Sequence, residues 1–128
     1  MSIQSIGSDL TRIDRLREAH ERRGQALLDR LFTPGEQTYC DSRKARFTHY
    51  AGRFAAKEAV MKVLGSGWGK GVQWVDIEVT REQDMPPAIE LHGEAANIAC
   101  EIGITRIHIS LSHDAGMALA FAIGEREG

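Results

Sequence analysis

Apolar residues recur at helical spacing through the first half of the chain and at alternate positions through much of the second. "SIQSIGSD" reads as a short strand ending at Gly7, with Asp9 just beyond a glycine at the strand end. From Leu10 to Phe32 the spacing of Ile13, Leu16, Leu27, Leu28 and Leu31 predicts a helix. Gly24 is placed to bend or split it. "TPGEQ" restarts a helix, with Thr33 as N-cap, Pro34 in the first turn and Glu36 completing a capping box. That helix runs to about Ser42, and a third from Arg46 to Leu64 stops at Gly65. Beyond it, "VQWVDIEVT", "AIELH", "RIHISLSH" and "GMALAFAIGE" alternate as strands do, and "GEAANIACEIG" reads as a short helix closed by Gly103. "REQDMPP" is a turn, and "DAG" joins the last two strands as a hairpin. Helices first, strands later and one helix inserted predict an α+β fold, an antiparallel sheet packed against a long central helix.

Composition adds limits rather than direction. The 128 residues fit one domain, spanning 1–128, with enough chain for a hydrophobic core. Sixteen basic against 18 acidic residues leave a net charge of −2, which predicts no general affinity for nucleic acid or an anionic membrane. No apolar run approaches the roughly 20 residues of a membrane helix, and the N-terminus lacks the pattern of a signal peptide. Cys40 and Cys100 have no metal-ligand spacing and read as two small buried side chains. A reducing cytoplasm is the expected setting.

The chemistry concentrates in "RFAAKEAVMKVLGSGWGKG", Arg53 to Gly71. On a helical wheel Ala55, Ala56, Ala59, Val60, Val63 and Leu64 form one apolar stripe. Glu58 and Lys62 lie one turn apart on its edge, with Phe54 and Met61 on the face away from it. Glu58 and Lys62 fit an i,i+4 surface pair worth a few tenths of a kcal/mol. They equally fit a carboxylate that ligates a divalent cation beside an ammonium that reaches a phosphate. Such a site needs a second carboxylate. Asp9 suits that role, or the N-cap of the first helix. The glycines that follow are neither a Walker loop nor a dinucleotide fingerprint. They serve either as a helix C-cap and turn or as backbone that approaches a phosphate closely.

Ser112, His113 and Asp114 stand side by side, so they cannot converge as a hydrolase triad. His113 at a strand end can donate to a phosphate. His20, His49 and His92 read as surface or packing residues, and His108 faces away from Ile107 and Ile109. Arg12, Arg15 and Arg22 share a broad face around Ala19, which is either a solvated face or a dock for an acidic helical partner. Arg43, Lys44 and Arg46 form a second basic cluster.

In order, "IGSD", "FTPGE", "AGRFAAKEAVMKVLGSG", "DIEV", "PAIELHGEA" and "SLSHD" closely resemble the holo-acyl-carrier-protein synthases, the short class of 4′-phosphopantetheinyl transferases. The resemblance covers essentially the whole chain. It implies transfer of 4′-phosphopantetheine from coenzyme A to a serine of an apo acyl carrier protein, releasing adenosine 3′,5′-bisphosphate. It implies Mg²⁺ held by Asp9, Glu58 and the pyrophosphate, with Lys62 on the transferred phosphate. Glu58, directly or through a water on the metal, would accept the serine proton. Lys44, Arg53, Gly65, Ser66, Gly67, Pro87 and His113 match positions around coenzyme A. Arg15, Ala19 and Arg22, with Phe54 close by, match the surface that receives the carrier protein. A trimer with shared sites is also implied.

Two positions depart from the family pattern. Met85 stands where glycine is common, two residues before Pro87, and Ala19 replaces a large apolar contact residue. A coenzyme A-binding module or a metal-dependent phosphodiesterase would draw on similar residues. Asp9, Glu58 and Lys62 together argue against a pure binder, which has no need of a metal at the pyrophosphate.

Overall fold

The computed structural model describes residues 1–65 and 70–127. In chain order the elements are β1 (Ser2–Arg12), α1 (Ile13–Arg23), α2 (Gln25–Leu31), α3 (Pro34–Asp41) and α4 (Arg46–Leu64). A 3-10 turn at Trp74–Asp76 follows, then β2 (Ile77–Thr80), β3 (Ala88–Leu91), α5 (Gly93–Ile102), β4 (Arg106–Asp114) and β5 (Met117–Arg126). The architecture is the predicted α+β. An antiparallel sheet ordered β1-β5-β4 lies against α4, and β2 and β3 form a separate antiparallel pair. The β4–β5 hairpin turns at Ala115 and Gly116, whose φ angles of 50° and 78° suit a tight turn that matches strand twist.

Small residues let the sheet meet the helix. On β5, Ala118, Ala120, Ala122 and Gly124 alternate on the buried face, opposite the alanines of α4. The closest approach is at Gly7 of β1. A Cβ there would stand 2.2 Å from the Ala59 carbonyl oxygen, so only glycine fits. A second core unites α1, α2 and α3 with the first half of α4 through Leu28, Phe32, Cys40 and Tyr50, each at most 1% exposed.

Several expectations need correction. β1 does not end at Gly7. It pairs with β5 as far as Arg12–Met117, because β5 offers it a full-length partner. Asp9 therefore sits within a strand opposite Ala120, and the helix N-cap is Arg12. Gly24, at φ +68°, splits the first helix in two. "VQWVDIEVT" is a strand only from Ile77, since the Asp76 carboxylate accepts from the Gln73 N–H (2.9 Å) and closes the 3-10 turn. Met61 is buried rather than turned away from the core, because α4 is packed on nearly all sides. Cys100 is exposed, and Cys40 alone is buried.

The packing around α4 includes a buried charge pair. Lys57 and Glu36 have fully buried side chains, and Lys57 Nζ lies 2.8 Å from Glu36 Oε1. Lys57 also donates to the carbonyls of Trp74 (3.0 Å) and Ile77. Glu36 closes the predicted capping box with Thr33, and its other oxygen accepts from the Val79 N–H (3.0 Å). Burial pulls the Lys57 ammonium below its ordinary pKa, against the raising influence of Glu36.

Losing one partner of such a pair strands the other. Lys57→Met is expected to cost roughly 3–5 kcal/mol in urea unfolding, and adding Glu36→Gln should recover part of that loss. Strict additivity of the two changes would show that the charges are not coupled.

Candidate functional site

Gly7 presses β1 against α4, and the residues after it inherit the position. Asp9 lies one alternation further along the same inner strand face, with its side chain 21% exposed. Its Oδ1 stands 3.5 Å from Lys62 Nζ, and Thr11 Oγ1 donates to its Oδ2 at 3.3 Å. Lys62 also donates to the Ser8 carbonyl at 2.7 Å. β1 is an edge strand, so one of its carbonyls is open to a side chain.

Glu58, one turn before Lys62 and half-buried, joins Asp9 in the wall of a cleft of about 710 Å³. Arg15, Ala19 and Phe54 line the same cleft, as do Leu16, Leu31 and Trp74. Residues expected to act on a cation and residues expected to receive a protein partner thus face one space. Phe54 stacks on Trp74 with ring centroids 4.9 Å apart, giving the cleft an aromatic wall. Arg12, Arg23 and Arg30 add positive charge to its walls. Arg22 is exposed and outside that lining.

The two carboxylates suit Mg²⁺ by their chemistry. Both offer hard oxygen donors at an open cleft, with room for waters and phosphate oxygens to complete the shell. A different group, Glu78, Glu90 and His92, brings three ligand-type atoms within 4.8 Å on the β2–β3 pair. There Glu78 accepts from Thr33 Oγ1 (2.6 Å) and lies 3.0 Å from His92 Nε2. Burial alone would raise the Glu78 carboxyl, but these hydrogen bonds and the charges of His92 and Lys57 outweigh it and hold it below the usual range.

The residues matched to coenzyme A are spread more widely. Arg53 is 3% exposed, its Nε has no hydrogen-bond partner, and its guanidinium lies 4.1 Å from the centre of the Tyr39 ring. Arg43 approaches the same ring at 4.4 Å, and the His49 ring lies 5.8 Å away at a steep angle. Burial lowers the His49 pKa, and the charges of Arg53, Arg43, His113 and Arg81 lower it further. His113 therefore belongs electrostatically to this cluster, although it lines a separate hollow beside the β4–β5 turn. Pro87, with Met85, lines another hollow beside β4. Lys44 is exposed before α4, Gly65 is the left-handed cap of α4 at φ +72°, and Ser66 and Gly67 lie outside the described residues.

Sequence reasoning missed Lys57, Tyr39, Trp74 and Arg30. A signal existed for Lys57: on a wheel of about 100° per residue it falls at the border of the apolar stripe, and Arg53 falls inside it. Cations in a buried arc demand partners. Tyr39, Trp74 and Arg30 carry no such mark, because only packing brings them to their places.

The family model of the 4′-phosphopantetheinyl transferase superfamily matches residues 5–122. The holo-[acyl-carrier-protein] synthase of Desulforudis audaxviator is 49% identical over 121 residues, 94% of this chain and 92% of that protein. The crystal structure of the Neisseria meningitidis holo-[acyl-carrier-protein] synthase matches with a TM-score of 0.89 at 29% identity, covering 98% of this chain and 100% of that one. The Helicobacter pylori enzyme, solved in complex with coenzyme A, matches with a TM-score of 0.82 at 32% identity, covering 94% and 99%. On this agreement of sequence and fold, the chain belongs to the 4′-phosphopantetheinyl transferase superfamily, among the holo-[acyl-carrier-protein] synthases.

Proposed function

We propose that this protein transfers 4′-phosphopantetheine from coenzyme A to a serine of an apo acyl carrier protein, with Mg²⁺, in the cytoplasm, as one catalytic domain. The observation that carries this reading is the shared cleft: Asp9 and Glu58 face the same space as Arg15, Ala19 and Phe54, and Lys62 is tied to Asp9. The serine oxygen forms a bond to the phosphorus that bears pantetheine. The bridging P–O bond of the pyrophosphate breaks, and adenosine 3′,5′-bisphosphate leaves. Glu58 takes the serine proton. Lys62, 55% exposed on a flexible stem, turns from Asp9 and Ser8 to the transferred phosphate. Asp9 and Glu58 would hold Mg²⁺, which supplies charge neutralisation at the pyrophosphate. Such a transfer depends on positioning and electrostatics more than on covalent catalysis.

Binding follows the charges. Arg53 and Arg43 concentrate positive charge on either side of His49, with no carboxylate partner for either arginine among the described ion pairs. That arrangement supports a phosphate of coenzyme A there. The arginines around the apolar cleft suit an acidic helical carrier protein, which charge steers onto α1.

The outer face of the three-stranded sheet supports self-association as a trimer. Ile6, Leu10 and Phe121 are 67%, 57% and 51% exposed there, with Leu10 directly opposite Leu119 and Ile6 opposite Ile123. An uncovered apolar sheet face fits burial against other copies. Sites shared between copies would also gather the Pro87 and His113 hollows with the Asp9 cleft.

Intact-protein mass spectrometry tests the activity. An apo carrier protein incubated with this protein, coenzyme A and Mg²⁺ should gain one phosphopantetheine, and EDTA should abolish the gain. Glu58→Gln should lose transfer by about 100-fold or more while keeping the wild-type melting temperature; normal turnover in that variant would remove Glu58 from the chemistry. Coenzyme A cleaved without carrier labelling would instead indicate a hydrolase. Arg15→Glu with Arg22→Glu should raise KM for the carrier protein at least about tenfold and leave coenzyme A binding unchanged. Equal losses for both substrates would move the dock elsewhere. By light scattering, Phe121→Asp should reduce the assembly to monomers, and a wild-type monomer would end the trimer reading.

A further inference from the structure

The two oxygens of the Asp9 carboxylate have neighbours of different kinds. Oδ1 stands 3.5 Å from Lys62 Nζ, and Oδ2 accepts from Thr11 Oγ1 at 3.3 Å. Lys62 is 55% exposed on a flexible stem, so its ammonium is free to leave. Thr11 is 9% exposed and paired with Ala118 across the β1–β5 ladder, so its hydroxyl is not. A β-branched side chain in a strand also has a narrow choice of χ1, which sets the direction of that hydroxyl. The ammonium beside Oδ1 is a cation already seated at Asp9, and it marks the oxygen that positive charge reaches.

Packing alone does not account for Thr11. A valine has the same shape, suits a buried strand position equally well and brings no polar group that burial penalises. What the hydroxyl adds is the hydrogen bond to Asp9, two residues back on the same strand face. Thr11, Asp9 and Glu58 line one cleft, so this bond lies beside the pair of carboxylates.

We propose that Thr11 is a positioning residue for metal binding: its hydroxyl holds Asp9 Oδ2 and so keeps Oδ1 turned to the cation when Lys62 moves away to phosphate. This rests on the metal reading of Asp9 and Glu58 above. Thr11 acts only through Asp9 and touches neither the reacting phosphorus nor the serine. Mg²⁺ gives up water reluctantly and is held through one or two carboxylates, so a carboxylate left free to turn loses affinity for it. Removing an outer hydrogen bond of this kind costs about 10- to 100-fold in metal affinity.

Mn²⁺ is the probe, its binding to the full-length protein with coenzyme A followed by electron paramagnetic resonance of the free ion. Asp9→Asn identifies the site being read and should lose the bound ion. Thr11→Val should weaken Mn²⁺ about tenfold, with an unchanged melting temperature and unchanged coenzyme A binding in EDTA. In carrier labelling, the metal concentration for half-maximal rate should rise by about the same factor, with kcat at saturating metal within about threefold of wild type. Thr11→Ser restores the hydroxyl and should bind Mn²⁺ within about threefold of wild type, whereas a packing role would weaken it as much as valine does. If Thr11→Val fails to fold, Thr11→Ser against Thr11→Ala, which differ by one oxygen, should show the same gap. Equal Mn²⁺ affinity with and without the hydroxyl would overturn the proposal, as would an ion that survives Asp9→Asn. A wild type that binds Mn²⁺ through Asp9 but labels no carrier protein would overturn the transferase reading alone, and the Thr11 comparison would still decide its own question.

Discussion

The Lys57 ammonium, buried against Glu36, ties together three separate segments of this molecule. It reaches from α4 to α3 through Glu36 and to the entry of β2 through the carbonyls of Trp74 and Ile77. Glu36 returns the connection by capping α3 and holding the Val79 amide. All three Lys57 N–H donors find an acceptor and both Glu36 oxygens accept a hydrogen bond, which is the condition under which a buried ion pair is tolerated. Two features at the surface depend on it. Trp74 is held where it can stack on Phe54 in the cleft wall, and α3 is held where Tyr39 can stand beside Arg53.

A steric constraint completes the arrangement. The contact of Gly7 with the Ala59 carbonyl sets β1 against α4 at backbone distance. Strand alternation then turns Asp9 to the helix, and the helical repeat places Glu58 and Lys62 on the edge that meets it. The proposed metal carboxylates come from segments 49 positions apart in sequence, Asp9 and Glu58, and need no loop to position them. Rigid elements suit phosphoryl transfer, where small errors of placement cost much of the rate.

Charge is divided between two places. At the cleft, Asp9 and Glu58 stand beside Lys62 with arginines on the surrounding walls, as suits a site that admits a cation together with phosphate. Around Tyr39 the cations stay uncancelled, and the resulting field lowers the His49 pKa after burial has begun the shift. An uncompensated cluster is tolerable where aromatic stacking replaces counter-ions and a ligand brings the missing charge.

The sequence by itself determined the local elements: the Thr33–Glu36 capping box, the α4 boundaries with their left-handed Gly65 cap, α5, the Ala115–Gly116 hairpin and the α+β class. Each rests on contacts between residues close in the chain, where spacing and cap chemistry suffice. The motif order also singled out Asp9, Glu58 and Lys62, three residues that the structure brings to one edge of α4. Only the tertiary structure decided that β1 continues through Asp9, because that depended on the length of β5, a partner more than 100 residues away. It likewise decided that Trp74 leaves the strand and that α4 buries Met61. These outcomes depend on which surfaces meet, and a pattern read along one segment records its own faces but not the neighbours that cover them.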